Sequence, residues 1–119
     1  MKYLRLELLS AGFLMTCVSL AEAHAFIDHA EPAVGSTVSE CPSAVKIWFT
    51  RKLDASSTIQ VFDGKGNEID RRDARLDPKD ATLLSVSLPR LAAGTCKVTW
   101  QAVCRDGHTT HGSFGFEIR

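Results

Sequence analysis

The sequence predicts an all-β fold of the Ig-like or Greek-key sandwich (barrel) type. Five short segments alternate between apolar and polar residues, at 45–49, 58–62, 84–88, 96–102 and 114–118. Turn-forming residues separate these segments, at Glu31-Pro32, Gly35-Ser36, Asp63-Gly64, Asp77-Pro78, Ala93-Gly94 and Asp106-Gly107. No stretch between them sustains a helical period. Several short strands joined by turns, with no helices between them, favour an antiparallel β-sandwich.

Each segment has the pattern of a half-buried strand. In the first, Val45, Ile47 and Phe49 share one face, and in the last Phe114, Phe116 and Ile118 do so. Period-two alternation means that one face packs on a core while the other faces water. By the same parity Trp100 belongs to the core and Trp48 points outward. The polar region 70–80 is expected to be a long loop.

The first 23 residues have the pattern of a secretory signal peptide. Lys2 and Arg5 precede an apolar run at 8–20, which ends at the small-residue sequence Ala21-Glu22-Ala23. A run of this length is shorter than the roughly 20 residues that span a bilayer. We therefore predict a cleaved signal at 1–23 and a single secreted domain at 24–119.

Two cleavage sites are consistent with the A-x-A rule. Cleavage after Ala23 releases a chain that begins at His24, whereas cleavage after Ala25 discards His24. The choice matters because an N-terminal histidine offers both an α-amine and an imidazole.

The charge of the mature domain argues against nucleic-acid binding and against binding to anionic membranes. The whole chain has 14 Lys+Arg and 14 Asp+Glu. The signal removes two residues of each sign, which leaves a net charge of zero. Arginines at 71, 72 and 75 are interleaved with aspartates at 70, 73 and 77, so no basic face forms.

Three cysteines remain after signal cleavage, which is an odd number for an oxidising compartment. Cys96 and Cys104 lie about 26 Å apart if they share one extended strand, so they cannot pair there. By parity both Cys41 and Cys96 face the core at the start of their strands. In an Ig-like sandwich such a pair forms the inter-sheet disulfide, with Cys104 left free. The alternative is that all three are small core residues.

The positions of two histidines indicate a copper site. His24, as first residue, supplies an amine and an imidazole nitrogen that close a chelate ring on one ion. Asp106 and His108 are separated by one glycine, so both can turn toward the same point. Nitrogen and oxygen donors of this kind suit Cu(II). The mature chain contains no methionine, the ligand that Cu(I) prefers.

Each of these features also has an ordinary structural explanation. Asp106-Gly107 is a common hairpin turn that the aspartate side chain caps. A histidine can also be the first residue of a mature chain without binding a metal. His29 and His111 are expected to be surface residues rather than ligands.

The mature chain resembles the CopC family of periplasmic copper-binding proteins over nearly all of its length. The similar motifs are the opening His24-Ala25, the turn Pro32-Ala33-x-Gly35-Ser36, and a block of residues near the end of the chain. That block contains Gly94-Thr95, Val98, Trp100, Asp106-Gly107-His108, Gly112, Phe114 and Phe116. The resemblance implies that the N-terminal amine, His24, Asp106 and His108 bind one Cu(II). It also favours cleavage after Ala23.

The resemblance further implies a role in copper homeostasis and resistance. The protein is then a periplasmic, monomeric carrier or buffer, with a CopD-type inner-membrane protein as its partner. Cys96 and Cys104 depart from the family pattern, which usually has an aromatic and a small residue there. A second, Met-rich Cu(I) site of some members has no counterpart here.

Two other functions compete with this interpretation. Copper bound by an N-terminal histidine and a second histidine is also found in lytic polysaccharide monooxygenases. One outward tryptophan, Trp48, is a poor platform for a glycan, and Asp106 would occupy the position that oxygen needs. The other alternative is an Ig-like interaction domain without metal. We therefore predict a binding protein and not an enzyme.

Signal cleavage gives a direct test. We expect N-terminal sequencing of the secreted protein to begin at His24. A protein that begins at Phe26 lacks the main ligand and contradicts the copper assignment.

Overall fold

The computed structural model describes residues 24–119, which form eight β-strands and no helix. The strands are β1 (Ile27–Glu31), β2 (Thr37–Val38), β3 (Ala44–Phe49), β4 (Thr58–Asp63), β5 (Arg75–Asp77), β6 (Asp80–Ser87), β7 (Gly94–Val103) and β8 (Thr109–Ile118). No segment within 24–119 is a helix able to cross a membrane. The predicted signal at 1–23 lies outside the described residues and stays a prediction.

The strands form two four-stranded sheets. One has the order β1-β3-β6-β5 and the other the order β2-β8-β7-β4. All neighbouring pairs are antiparallel except β2 and β8, which run parallel. The chain changes sheet at every connection from β1 to β5 and again between β6 and β7, whereas β5 and β6, and β7 and β8, follow each other within one sheet. The all-β sandwich prediction is confirmed.

The core follows the predicted alternation. Buried apolar side chains project from β3 (Val45, Ile47, Phe49), β4 (Ile59, Val61), β6 (Leu84, Val86), β7 (Cys96, Val98, Ala102) and β8 (Phe114, Phe116, Ile118). These faces of the two sheets pack on each other and exclude water, which is the main stabilising contribution in a domain of this size.

The two tryptophans occupy the faces that parity predicts. Trp100 packs against the core cluster with its ring edge-on to Phe49, at a centroid separation of 5.2 Å. Trp48 lies on the outer face of β3, where its ring stacks on His29 at 4.4 Å with an interplanar angle of 9°. His29 is exposed, in agreement with the prediction of a surface residue.

The prediction of a long loop at 70–80 is wrong in part. Residues 75–77 form the edge strand β5, which pairs with β6. Asp70 is buried and accepts hydrogen bonds from the Val61 and Arg72 backbone amides, both at 2.8 Å. The bond from Val61 attaches the start of the polar segment to β4. The backbone of residues 75–77 then pairs with β6, although the side chains of this segment do not alternate.

The expected Cys41–Cys96 disulfide is not formed. Within residues 24–119 all three cysteines are free thiols. Pro42 and Ser43 separate Cys41 from the first residue of β3, so the alternation of that strand does not extend to Cys41. Its sulfur contacts the Pro89 carbonyl and accepts from the Leu91 amide instead. Cys96 and Cys104 are buried, as the alternative of small core residues predicts.

Gly112 leaves room for Trp100. The two residues are cross-strand partners, and a Cβ added at Gly112 would lie 2.7 Å from the Trp100 ring. We expect Gly112→Ala to destabilise the domain by about 1–3 kcal/mol, because the indole must move against Phe49. Urea unfolding measures this change.

Gly115→Ala is the matched control on the same strand. Its added Cβ meets only the Cys96 carbonyl oxygen, at 3.4 Å, which is an ordinary contact. Equal destabilisation by the two variants would contradict the packing argument and point to a general cost of replacing glycine in β8.

Candidate metal centre

The candidate site lies at one end of the sandwich, where the N-terminal segment meets two loops. These are the loop between β3 and β4 and the loop between β7 and β8. Sequence reasoning proposed His24, Asp106 and His108, and the structure brings all three to this end of the molecule.

Three hydrogen bonds fix the segment 24–26. The Thr110 hydroxyl donates to the Ala25 carbonyl at 2.7 Å. The Phe26 amide donates to the Thr50 hydroxyl at 3.0 Å, and the Thr50 amide donates to the Phe26 carbonyl at 2.9 Å. Ala25 is fully buried, so a larger side chain has no space there. The contacts of Ala25 and Phe26 therefore set the position of His24.

The turn between β7 and β8 positions Asp106 and His108. The Cys104 amide donates to the His108 carbonyl at 2.8 Å, and the Gly107 amide donates to the Cys104 carbonyl at 2.9 Å. Gly107 has φ of 95°, a left-handed conformation that glycine adopts without steric cost. This bend reverses the chain between Asp106 and His108, so their side chains meet on one side.

Asp106 contacts His108 through both of its carboxylate oxygens. Oδ1 accepts from the His108 amide at 3.1 Å, and Oδ2 lies 2.9 Å from His108 Nδ1. Both side chains are 52% exposed. Because Nδ1 faces the carboxylate, Nε2 is the His108 nitrogen left for another partner.

His24 and His108 lie side by side. Their ring centroids are 5.1 Å apart with an interplanar angle of 59°. Metal–imidazole nitrogen bonds are about 2 Å long, so two rings at this separation can share one ion after small rotations. His29 stacks on Trp48 and His111 projects from the exposed face of β8, so neither belongs to this pair.

The side chains alone do not form a finished metal cage. Within residues 24–119 no group of three or more His, Cys, Asp or Glu side chains is arranged to hold an ion. The α-amine of His24 is not a side chain, and in the uncleaved chain its nitrogen is part of the peptide bond to Ala23. The geometry thus supplies two neighbouring imidazoles and one carboxylate bonded to one of them.

The pKa of the Asp106 carboxyl is lowered from its ordinary value of 3.8. The largest cause is the hydrogen bond from the His108 amide, followed by the one from the His108 side chain. Desolvation opposes these hydrogen bonds, and the charges of His108 and Arg51 make smaller contributions that also lower the pKa. Asp106 therefore remains an anion, and hence an electron donor, at mildly acidic pH.

The comparisons with known proteins agree with the fold. The sequence model of the CopC domain matches residues 27–119. This chain belongs to the CopC family. The resemblance found in the sequence is confirmed, and the assignment supports the prediction of a binding protein rather than an enzyme. The match to the CopC domain begins three residues after His24, so that histidine is outside it.

Relatives of similar length cover most of the chain. Protein YobA of Escherichia coli strain K12 is 31% identical over 99 residues, which cover 82% of this chain and 80% of YobA. Copper resistance protein C of Pseudomonas syringae pv. tomato is 30% identical over 121 aligned positions, covering 94% of this chain and 92% of the relative.

Solved structures share the CopC sandwich. CopC from Methylosinus trichosporium OB3b superimposes with a TM-score of 0.75 at 26% identity, covering 80% of this chain and 93% of that one. The copper resistance protein PcoC from Escherichia coli has a TM-score of 0.69 at 20% identity, covering 79% of this chain and 99% of PcoC. At that identity PcoC supports the fold alone.

The Asp106–His108 contact predicts a lowered pKa for the Asp106 carboxyl. We expect the Asp106 carboxyl to titrate below 3.8 in carboxyl-carbon NMR. Its pKa is lowered in the folded state, so ionised Asp106 stabilises the turn above the unfolded value, and this contribution is lost as pH falls through the folded pKa. In His108→Ala the pKa should move only part of the way back, because the backbone hydrogen bond remains. A complete return would contradict the dominance of the backbone bond.

Proposed function

We propose that this CopC domain is a periplasmic Cu(II) carrier or buffer that binds one ion through its N-terminal amine, His24, Asp106 and His108. The observation that carries the proposal is the 5.1 Å separation of the His24 and His108 ring centroids, at the end of the sandwich where residues 24–26 are hydrogen-bonded. Two histidines far apart in sequence meet at a rim that is otherwise built from loops.

The names of relatives support a role with copper. Besides the resistance protein from Pseudomonas syringae pv. tomato, copper transport protein CutJ of Bacillus subtilis is 26% identical over 108 residues. The match covers 89% of this chain and 20% of CutJ. A domain similar to this one therefore occurs both as a separate protein and within a longer transport protein.

Signal cleavage completes the proposed site. Removal of residues 1–23 converts the His24 nitrogen from an amide into a primary amine, whose reference pKa is about 8. Its proton is readily displaced by a metal at neutral pH. The amine and the His24 imidazole then bind as a chelate, and the His108 ring approaches from the neighbouring loop.

The donor set favours Cu(II) over Cu(I). Amine, imidazole and carboxylate donors suit the tetragonal geometry of Cu(II). The sequence from residue 24 onward contains no methionine, and the thiol nearest in sequence to His108, that of Cys104, is only 4% exposed and is part of the core. A soft ligand is therefore not presented beside the histidine pair.

A carrier fits the exposure of the site. His108 and Asp106 are each about half-exposed, so an ion bound there stays accessible to an exchanging ligand. A CopD-type inner-membrane protein is the partner that the family resemblance implies. Transfer of the ion between the two needs a site that the partner's ligands can reach.

Copper titration with electron paramagnetic resonance tests the proposal. We expect the secreted protein to bind one Cu(II) with a tetragonal, nitrogen-rich spectrum. His108→Ala should weaken binding by about 100-fold or more, since a ligand contributes at least as much as the residues that support it. A variant with one alanine before His24 should weaken it similarly, because it keeps the imidazole but removes the α-amine from the chelate.

His111→Ala is the matched control, since it removes an exposed histidine of β8 outside the pair. It should retain stoichiometry, affinity and spectrum. Equal loss in His111→Ala and His108→Ala, or unchanged binding by the chain with the extra alanine, would contradict the proposed site.

The role of Asp106 needs a separate variant. As a direct oxygen ligand, Asp106 must turn away from His108 Nδ1, and Asp106→Asn should then change the copper spectrum itself. As a residue that orients His108, it should leave the spectrum unchanged and lower affinity by about 10–100-fold. We propose the direct role, so an unchanged spectrum contradicts it.

A further inference from the structure

The sheet β2-β8-β7-β4 has an open edge beside the candidate metal centre. β8 has β7 along one side, whereas β2 lies along the other side only at residues 117–118. The Gly35 amide extends this cover by one bond, since it donates to the Gly115 carbonyl at 2.7 Å. Along residues 109–114 no strand within 24–119 lies on that side of β8. The open stretch begins directly after His108.

The hydrogen bonds of β8 identify the backbone groups that face the open side. The Glu117 amide donates to the Ser36 carbonyl at 2.9 Å, so Glu117 faces β2 and not β7. In an antiparallel pair, residues that bond to the neighbouring strand alternate with residues whose backbone groups face away from it. Thr109, His111 and Ser113 share the parity of Glu117 and are exposed. Their N–H and C=O groups therefore point to the open side, where no strand or loop backbone of residues 24–119 bonds to them.

The other long edges of the two sheets are protected. On the free side of β4, Val61 bonds through its carbonyl to the Ile69 amide and through its amide to the Asp70 carboxylate. β1 and β5 each contain a register shift and charged side chains. Bulges and charges of this kind prevent edge-to-edge pairing in native β-proteins. Residues 109–114, by contrast, have a regular register and contain no proline and no charged Lys, Arg, Asp or Glu.

The open stretch is complementary to itself about His111. If His111 lies opposite the same residue of a second, antiparallel copy, Thr109 of each copy lies opposite Ser113 of the other. Each of these residues can then exchange its N–H and C=O with the residue opposite. Neutral hydroxyls meet across the pair, so no like charges face each other. The mature domain also has a net charge of zero, which removes long-range repulsion between copies.

Exposed apolar side chains lie near both ends of the open stretch. Within residues 24–119 the exposed large apolar residues are Phe26 and Val34, which are 45% and 57% exposed. Phe26 belongs to the N-terminal segment that is bonded to Thr110. Val34 lines a cavity of about 440 Å³ together with Ser113 and Gly115. Antiparallel pairing brings the Phe26 end of one copy to the Val34 end of the other, so apolar surface is available at both ends of the interface.

We propose that the open edge of β8 pairs with β8 of a second copy, antiparallel about His111, and joins the four-stranded sheets of the two copies edge to edge. Two short strands form a small interface, so the dimer is weak and forms at high protein concentration. The two candidate metal centres then lie at opposite ends of the interface, because His108 directly precedes β8. This dimer replaces the monomer that the family resemblance implies, and it does not depend on the proposed copper function.

Sedimentation equilibrium and amide hydrogen exchange test the dimer with the secreted, metal-free protein. We expect a monomer–dimer equilibrium that shifts to the dimer as protein concentration rises. The His111 and Ser113 amides should exchange more slowly at high concentration, because they become hydrogen-bonded in the dimer. The Gly112 amide has the parity that faces β7, so its exchange should change less.

Two double variants test the antiparallel register. Thr109→Lys/Ser113→Lys places lysine opposite lysine at both ends of the paired stretch, whereas Thr109→Lys/Ser113→Glu places lysine opposite glutamate at the same points. We expect the dimer of the first variant to have a Kd about fivefold or more above that of the second. Both variants change the same two exposed positions, so each is the matched control for the other.

Three results would overturn the proposal. A parent protein that stays monomeric at every concentration leaves the edge to a strand of a different protein. Equal dimerisation of the two double variants contradicts the antiparallel pairing of Thr109 with Ser113. A dimer in which the exchange of the His111 and Ser113 amides is unchanged has its interface elsewhere. None of these measurements uses copper, so they are independent of the copper titration of His108→Ala.

Discussion

The site depends on the attachment of residues 24–26 to the rim of the sandwich. The Thr110 hydroxyl holds the Ala25 carbonyl, and Thr50 forms two hydrogen bonds with Phe26. N-terminal segments are commonly poorly ordered unless they are tied down in this way. The burial of Ala25 adds a packing constraint to the hydrogen bonds. An N-terminal ligand is useful to a binding site only when its position is fixed, and these contacts fix it.

The turn at Asp106-Gly107-His108 supplies the second half of the arrangement. Gly107 permits the left-handed bend, and the carboxylate of Asp106 then holds the amide and the ring of His108. The base of the turn is fixed by the neighbouring loop, because the Asp54 amide donates to the Val103 carbonyl at 2.7 Å. The loops after β3 and β7 therefore contact each other at the end of the sandwich where His24 and His108 meet.

Most of the fold could be predicted from sequence because its core strands alternate clearly. The alternating segments at 45–49, 58–62, 84–88, 96–102 and 114–118 all correspond to strands of the structure, and only Leu88 falls just beyond the end of its strand. The strands that were not predicted are β1, β2 and β5. These are short edge strands, for which backbone pairing matters more than side-chain alternation. Likewise, parity placed Cys41 in line with β3, but the strand begins only at Ala44.

The sequence by itself determined the types of the donor groups. An amine and imidazole at His24, an aspartate and histidine across one glycine, and the absence of methionine are all read from the chain. It also determined the core strands and which of their faces are buried, because period-two burial is a local property. Only the tertiary structure decided that His24 lies beside His108 and that the cysteines are free. These are contacts between residues distant in sequence, which arise when the two sheets pack and bring separate loops to the same end of the domain.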